Sequence, residues 1–474
     1  MFRTLFLKEI LDNITSRRFF IVCVLCLIII PLGTYVSTKD YQSRLHNYQE
    51  SVRIYEDSQK RIQDILFKGG AKGFRPPSHL SFLSLGLEFI LPNVAETQGR
   101  YGTPPPIDMR LSNNQSLENL YEFLHGPLDM VFIVSVVMTF LAIVFSYGSV
   151  SGEKELGTLK QILCNSVPRY QVILAKTGAN FLVLIIPFLM AVLLSMLIFQ
   201  AADISVFGQN GAWLYILLAV IFSLLLIGVF FNLGILISTL TKQAVSTIII
   251  LLLCWVFLFG IFPRLSVILS RLVYPVKSQQ LIALEKNQVR LDNERECRAE
   301  IGRLIESTPE KRRPSSEEYK DMGKKQQIVR EEFQAKLVEK LQKIDRDIEK
   351  KRNTQILIAT NFARLSPVSC FIRPLAEISH TGWNEYQRFN EKISQFQQTL
   401  NKEVFYKQRT TRSRRGVGSH FAGDMTAPAP KLEYSRAPFE AIVRDILPDF
   451  ILLVLFNIFF FTGAFVGFLK YDAR

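Results

Sequence analysis

Apolar and charged positions fall in long separate blocks along this 474-residue chain. Stretches without a charged residue run Phe19–Thr38, Met130–Gly152, Thr177–Ala202, Ile204–Thr241, Gln243–Pro263 and Phe450–Leu469. Each reaches the roughly 20 residues that a helix needs to cross a hydrocarbon layer. The fourth is long enough to include a loop, with its spanning part near Trp213–Ile237. A soluble helix keeps a polar stripe toward water, so six such windows argue against buried helices of a large soluble core. The predicted fold class is an all-α dominated membrane protein. Its six transmembrane helices are expected at 19–38, 130–150, 177–200, 213–237, 244–265 and 447–469.

The segments between the spans have patterns of their own. Within residues 1–18, Phe2, Leu5, Phe6, Ile10 and Ile14 give positions 2–16 one apolar face, predicting a helix that lies flat at the membrane surface. Beyond the first span, Tyr41, Leu45, Tyr48, Val52, Tyr55, Gln59, Ile62 and Leu66 keep a 4-3 spacing. That spacing predicts one long helix with a coiled-coil-type seam, interrupted at Gln59 and ending near Gly69-Gly70. "FRPPSHLSFLSLGLEFILPNV" and "GTPPPIDM" then complete the segment 39–129 as an irregular Pro- and Gly-rich cap.

The second long segment, 266–446, is predicted mostly helical. Leu281, Leu284, Leu291, Ile301, Leu304 and Ile305 mark one helix, and Val329, Phe333, Leu337, Leu341, Ile344 and Ile348 mark another. The break "STPEKRRPSS" between them makes the pair an antiparallel hairpin. "KQRTTRSRRGVGSHFAGDMTAPAPK" reads as a mobile loop, its arginines either solvated or touching anionic polymer or headgroups.

Short loops carry the orientation signal. Arg3, Lys8, Arg17 and Arg18 precede the first span, and Lys154, Lys160, Arg169 and Lys176 lie between the second and third. Lys242 separates the fourth from the fifth, and Lys470 and Arg474 follow the sixth. The loop between the third and fourth has Asp203 and no Lys or Arg. Positive charge stays on the cytoplasmic side. Both termini and residues 151–176 are therefore expected in the cytoplasm, with 39–129 and 266–446 outside. The first apolar run lacks a small-residue cleavage site and reads as a retained anchor. The formal net charge of +14 follows from these loops and from exposed basic helices, and no nucleic-acid motif accompanies it.

Catalytic chemistry is not evident. His46, His79, His125, His380 and His420 form no H-E-x-x-H, there is no Cys-x-x-Cys pair, and no G-x-S-x-G elbow occurs. No catalytic residue, metal ligand or cofactor of this chain is expected. "GSVSGEKE" from Gly148 fails the phosphate-loop spacing, so the chain is not expected to bind ATP by itself. Asn180, Asn232 and Asn457 are the polar interruptions of the spans and are read as interhelical hydrogen-bonding groups. The lack of ionisable groups disfavours a self-powered secondary transporter. Of six cysteines, Cys297 and Cys370 fall in the second outer segment. A disulfide between them and two unrelated thiols are both open, since spacing does not decide connectivity.

One stretch is dense in candidate chemistry: "SGEKELGTLKQIL", residues 151–163. Thr158 is placed to N-cap a short helix Leu159–Cys164, and Gly157 lets the chain turn before it. Leu159, Ile162 and Leu163 then form an apolar patch for a partner groove, and Glu153, Lys154 and Glu155 can make directional ion pairs. The alternative is an amphipathic loop helix lying on lipid.

Residues 127–176, "PLDMVFIVSVVMTFLAIVFSYGSVSGEKELGTLKQILCNSVPRYQVILAK", resemble the core signature of ABC-2 type transporter permeases. The matching features are the second span, S-G-E-K-E-x-G-T-L, the short helix, the V-x-R turn and the Lys before the third span. "RPPSHLSFLSLGLE" (75–88) and "ARLSPVSCFIRPLAEISHTGWNEYQRF" (363–389) resemble a subgroup with large extracytoplasmic insertions, which includes gliding-motility and copper-site-maturation ABC permeases. His79 stands where that pattern often has Pro.

The resemblance implies a coupling helix around 153–164, seated in a separate ATP-binding subunit that holds ATP and Mg²⁺, and an elbow helix at 2–16. Coupling would fall to Glu153, Lys154, Glu155, Gly157, Thr158, Leu159, Ile162 and Leu163, with Arg169 and Lys176 anchoring helix ends at the membrane face. The implied partners are that ATPase, a second permease chain (identical or different), membrane lipids and an extracytoplasmic protein. The implied location is the bacterial cytoplasmic membrane. Two functions compete: export of a lipid, peptide or polymer, and a mechanical component that moves its outer arms without translocating a solute.

Overall fold

The computed structural model describes residues 2–58, 71–88, 93–97, 109–111, 128–164, 167–201, 211–306, 316–401 and 431–471. Among the described residues, six helices are long and apolar enough to cross a membrane: α2 (Arg17–Ser58), α3 (Met130–Leu156), α5 (Arg169–Ala201), α6 (Ala212–Leu240), α7 (Ala244–Val273) and α12 (Phe439–Leu469). The others are α1 (Phe2–Ile14), α4 (Thr158–Cys164), α8 (Gln279–Glu306), α9 (Ser316–Ala363), α10 (Ser369–Ile378) and α11 (Trp383–Asn401). The all-α dominated membrane class expected above is therefore the observed one. Two compact units divide the chain: Met1–Gly260 with Ser366–Arg474, and Ile261–Leu365.

In the first unit α6 is the central helix. It is apolar on every side, as a helix enclosed by other helices should be, and it buries Phe222, Leu226, Phe230 and Phe231. It packs on α12, while α5 packs on α1 and α2. Small residues let backbones approach where no water drives association. A Cβ at Gly228 would lie 2.7 Å from Asn457 Oδ1. The span asparagines cross-link helices: Asn232 Nδ2 donates to Asn457 Oδ1 at 3.0 Å, and Asn457 Nδ2 donates to Leu225 O at 2.9 Å. α3 and α7 each contain a π-helical turn, Ile133–Met138 and Phe257–Ile261. Trp255 Nε1, just before the second, donates to Thr139 Oγ1, just after the first, at 2.9 Å.

The cap is less irregular than its composition predicts. Strands β1 (Lys72–Phe74), β2 (Val94–Thr97) and β3 (Met109–Leu111) form an antiparallel sheet in the order β1-β2-β3, pairing Gly73 with Ala95 and Glu96 with Arg110. It packs on α11 through Ala71, Ala95, Phe389, Ile393, Phe396 and Leu400. A Cβ at Gly73 would press on the end of the Ile393 side chain, 2.8 Å from Cδ1. The 4-3 seam of α2 faces this cap. Tyr55 OH accepts from Lys72 N at 3.0 Å and its ring lies edge-on to Phe74, while Arg44 Nη2 donates to Ser81 Oγ at 3.0 Å. The expected end of that helix near Gly69-Gly70 lies outside the described residues.

In the second unit, α8 and α9 run antiparallel. Asn293 Nδ2 donates to Phe333 O at 3.1 Å, and Lys286 pairs with Asp345. The break between them, 307–315, and the basic loop 407–431 up to residue 430 lie outside the described residues. The insertion expected over 266–446 thus divides, because α10 and α11 belong to the first unit. Cys370 is buried at the start of α10 beside Phe371, and Cys297 is half-buried on α8.

Candidate functional site

Glu153, Lys154 and Glu155 sit on the last turns of α3, which runs on past the apolar window to Leu156. Gly157 ends it in the left-handed region at φ +74°, its N–H bonding Lys154 O at 3.2 Å. Glycine pays no Cβ penalty in that conformation. The chain turns and α4 follows at once.

Three consecutive charges engage three different helices. Glu153 Oε1 accepts from Lys176 Nζ of α5 at 2.5 Å, and the same Nζ donates to Glu9 Oε1 of α1 at 2.7 Å. Lys154 Nζ donates to the last carbonyls of α6, those of Thr239 and, at 3.0 Å, Thr241. A cation there complements the negative end of the helix dipole. Glu155 Oε2 accepts from Ala244 N at 3.0 Å, the mirror arrangement at the positive start of α7. One turn earlier, Ser238 Oγ accepts from Val150 N at 3.1 Å and Ser151 N at 2.9 Å. This single turn is therefore tied to α1, α5, α6 and α7.

Several placements differ from the sequence expectation. Leu159 is fully buried in this chain's own core, with Ile162 and Leu163 packed against that core. The apolar side chain left outside is Leu156, 78% exposed, with Glu155, Lys160 and Gln161 also exposed around the turn. The left-handed step at Gly157 rotates α4 and turns its apolar stripe inward. Thr158 is the first residue of α4, and its hydroxyl donates backward to Glu153 O at 3.4 Å rather than accepting a forward N–H. Lys176 is 3% exposed, a buried bridge rather than a membrane-face anchor. Arg169 does bind a helix end, donating from Nη1 to Leu469 O at 3.1 Å and Tyr471 O at 2.8 Å after α12. Sequence reasoning did not find Glu9, Ser238 or the Leu156 face.

The family described as "ABC-2 family transporter protein" matches residues 3–344. The chain belongs to the ABC-2 transporter family. No curated protein matches it. The permease is thus a multi-pass membrane transport subunit of a system whose ATPase is a separate subunit.

At the other end of the permease's spans, the stretches 75–88 and 363–389 meet. Leu87 N donates to Thr381 O at 2.9 Å, and Thr381 Oγ1 donates to Ser84 O at 3.0 Å. Asp129 joins the cap to α3: Oδ1 accepts from Phe132 N at 2.9 Å and Oδ2 from Leu85 N at 3.0 Å. Burial pushes its carboxyl up to about 6 despite those N–H groups. His79 is held neutral, pushed down to about 4 by burial and by Arg436, whose Nη1 donates to Nδ1 at 2.5 Å. Burial lifts Glu377 to about 7. Burial also raises Tyr434, whose hydroxyl donates to Glu385 at 2.5 Å. Glu385 itself is held low, because burial is outweighed by His380 and Tyr434. Among the described residues no group of three or more His, Cys, Asp or Glu is placed to hold a metal ion. These contacts are structural: they dock the cap onto the spans.

Proposed function

We propose that this permease takes ATPase motion in through the α3–α4 turn and exports a lipid, peptide or polymer. The observation that carries the reading is the division of Glu153, Lys154 and Glu155 among three sets of partners, beside an exposed Leu156. A partner ATPase, holding ATP and Mg²⁺, covers Leu156, Lys160 and Gln161. Gly157 and Thr158 set the angle of the turn, and Leu159, Ile162 and Leu163 fix α4 to the permease so that force is not lost. Closure of paired ATPases moves the turn in each of two permease chains, and the ties carry that motion to the spans. The turn and both termini then lie on the cytoplasmic side of the bacterial inner membrane.

A second reading rests on α2. It is one helix of 42 residues from beside α1 to the cap, where Tyr55 holds β1. Such a rod suits a component that moves an outer partner protein without passing a solute. ATPase activity of the full complex in lipid vesicles separates the readings. Glu153→Ala with Glu155→Ala should abolish the coupling of hydrolysis to transport while leaving the folded permease intact. Full coupled activity in the double variant would sink the assignment. Stimulation by a lipid or secreted peptide favours export, and stimulation only by an outer protein favours the mechanical reading.

A further inference from the structure

The ammonium of Lys154 is held by more than the end of α6. Its Nζ donates to the main-chain carbonyls of Ser238 at 3.5 Å, of Thr239, and of Thr241 at 3.0 Å. Those contacts engage all three donors that an ammonium has. The fourth contact is aromatic. Nζ lies over the ring of Tyr471, just past the end of α12, at 4.9 Å from the ring centroid. A cation within about 6 Å of an aromatic face is drawn to it by the ring quadrupole.

The main chain of Tyr471 is fixed on both sides. Its N–H donates to Phe468 O at 3.2 Å, and its carbonyl accepts from Arg169 Nη1 of α5 at 2.8 Å. Phe468 is buried, and Tyr471 itself packs against the bundle core. The turn before it sits close on α6: a Cβ at Gly467 would lie 3.0 Å from the hydroxyl of Thr239, the residue whose carbonyl Lys154 binds. Tyrosine at the end of a span is common as an anchor in the membrane interface. An anchor of that kind needs neither a cation on its ring nor an arginine on its carbonyl. Here two cations from two helices converge on one residue, Lys154 of α3 on the ring and Arg169 of α5 on the carbonyl. The ties described above join the α3–α4 turn to α1, α5, α6 and α7, and this ring adds α12.

We propose that Tyr471 is a positioning residue for coupling: its ring orients Lys154 on the end of α6 and ties the α3–α4 turn to α12. The inference rests on the reading of that turn as the place where ATPase motion enters. The test uses the full permease with its ATPase in phosphatidylethanolamine and phosphatidylglycerol vesicles, with Mg-ATP as the probe. The quantity measured is the ATP hydrolysis that the permease adds to that of the ATPase alone. Tyr471→Leu keeps an apolar side chain without a π face. It should lower the added hydrolysis about fivefold and leave the thermal midpoint within error. Tyr471→Phe keeps the ring face and should retain the added hydrolysis. Tyr170→Leu, at an exposed aromatic beside Arg169 on α5, should also retain it. If Tyr471→Leu does not fold, Tyr471→Met carries the same expectation. Normal added hydrolysis without the ring, a loss that Tyr471→Phe shares, a loss that tracks a fallen midpoint, or an equal loss in Tyr170→Leu overturns the proposal. Glu153→Ala with Glu155→Ala, run beside these, separates the two failures. If that variant loses the added hydrolysis while Tyr471→Leu keeps it, the role of Tyr471 alone falls. If that variant keeps it, the reading of the turn falls and the role of Tyr471 falls with it.

Discussion

Lys176 Nζ lies 2.5 Å from Glu153 Oε1 at a position where the lysine is 3% exposed, and it bonds Glu9 Oε1 from the other side at 2.7 Å. One buried cation thus joins the first helix to the turn proposed to meet the ATPase. Two carboxylates sharing one cation leave a net negative group, and Glu153 Oε2 has no hydrogen-bond partner. The pair is held by geometry rather than by an excess of contacts, which suits an element that must move.

Removing the cation should be costly in a specific way. Lys176→Met leaves Glu9 and Glu153 uncompensated in a buried site, a loss on the order of 3 kcal/mol. The thermal midpoint of the purified permease in detergent should fall clearly. Adding Glu9→Gln and Glu153→Gln removes the stranded charges and should recover most of that loss. The triple variant should still fail to couple hydrolysis to transport. A triple variant with normal coupling would show that the ionic link is dispensable.

Leu156 and Leu159 lie three residues apart, yet their environments are opposite. Leu156 is 78% exposed and Leu159 is fully buried. Leu159→Ala should cost about 2–5 kcal/mol of stability, because a cavity opens in the bundle. Leu156→Ser should leave the thermal midpoint within error and weaken capture of the partner ATPase in a pull-down from detergent. If Leu156→Ser leaves ATPase binding unchanged, the docking face is elsewhere.

The contrast between these leucines explains what could be read from sequence. The six spans were legible because a charge-free run of spanning length has few soluble explanations. The 151–163 stretch was legible as a site because its charges interrupt two such runs. Which leucine faced out was not legible, since a single left-handed residue, Gly157, reset the phase of α4. The partners of Lys154 are backbone carbonyls at the end of α6, and a carbonyl has no sequence signature. Strands of three or four residues, like Lys72–Phe74, are too short to display an alternation. The 4-3 seam of α2 was visible, but its period alone did not identify the cap as what covers it.

Glu377 gives the cap a pH dependence of definite sign. Its carboxyl is 6% exposed, and burial raises it to about 7, with Asp445 and Glu385 adding to the rise and Arg373 opposing it. Burial penalises the ionised form. The stability linked to this group is therefore complete below the unfolded carboxyl's pKa and is lost as pH rises through about 7. Asp129, raised to about 6, acts in the same direction, and His79, pushed down to about 4, opposes them in part. The permease should melt at a lower temperature at about pH 8 than at about pH 5. Glu377→Gln keeps an oxygen that can accept from Asn384 N, now 3.3 Å from Oε1, without the ionisation. It should stabilise the protein at the higher pH by on the order of 2 kcal/mol and have little effect at the lower one. A pH slope identical in the two proteins would mean that Glu377 does not titrate between these values and that the cap's pH response comes from another group.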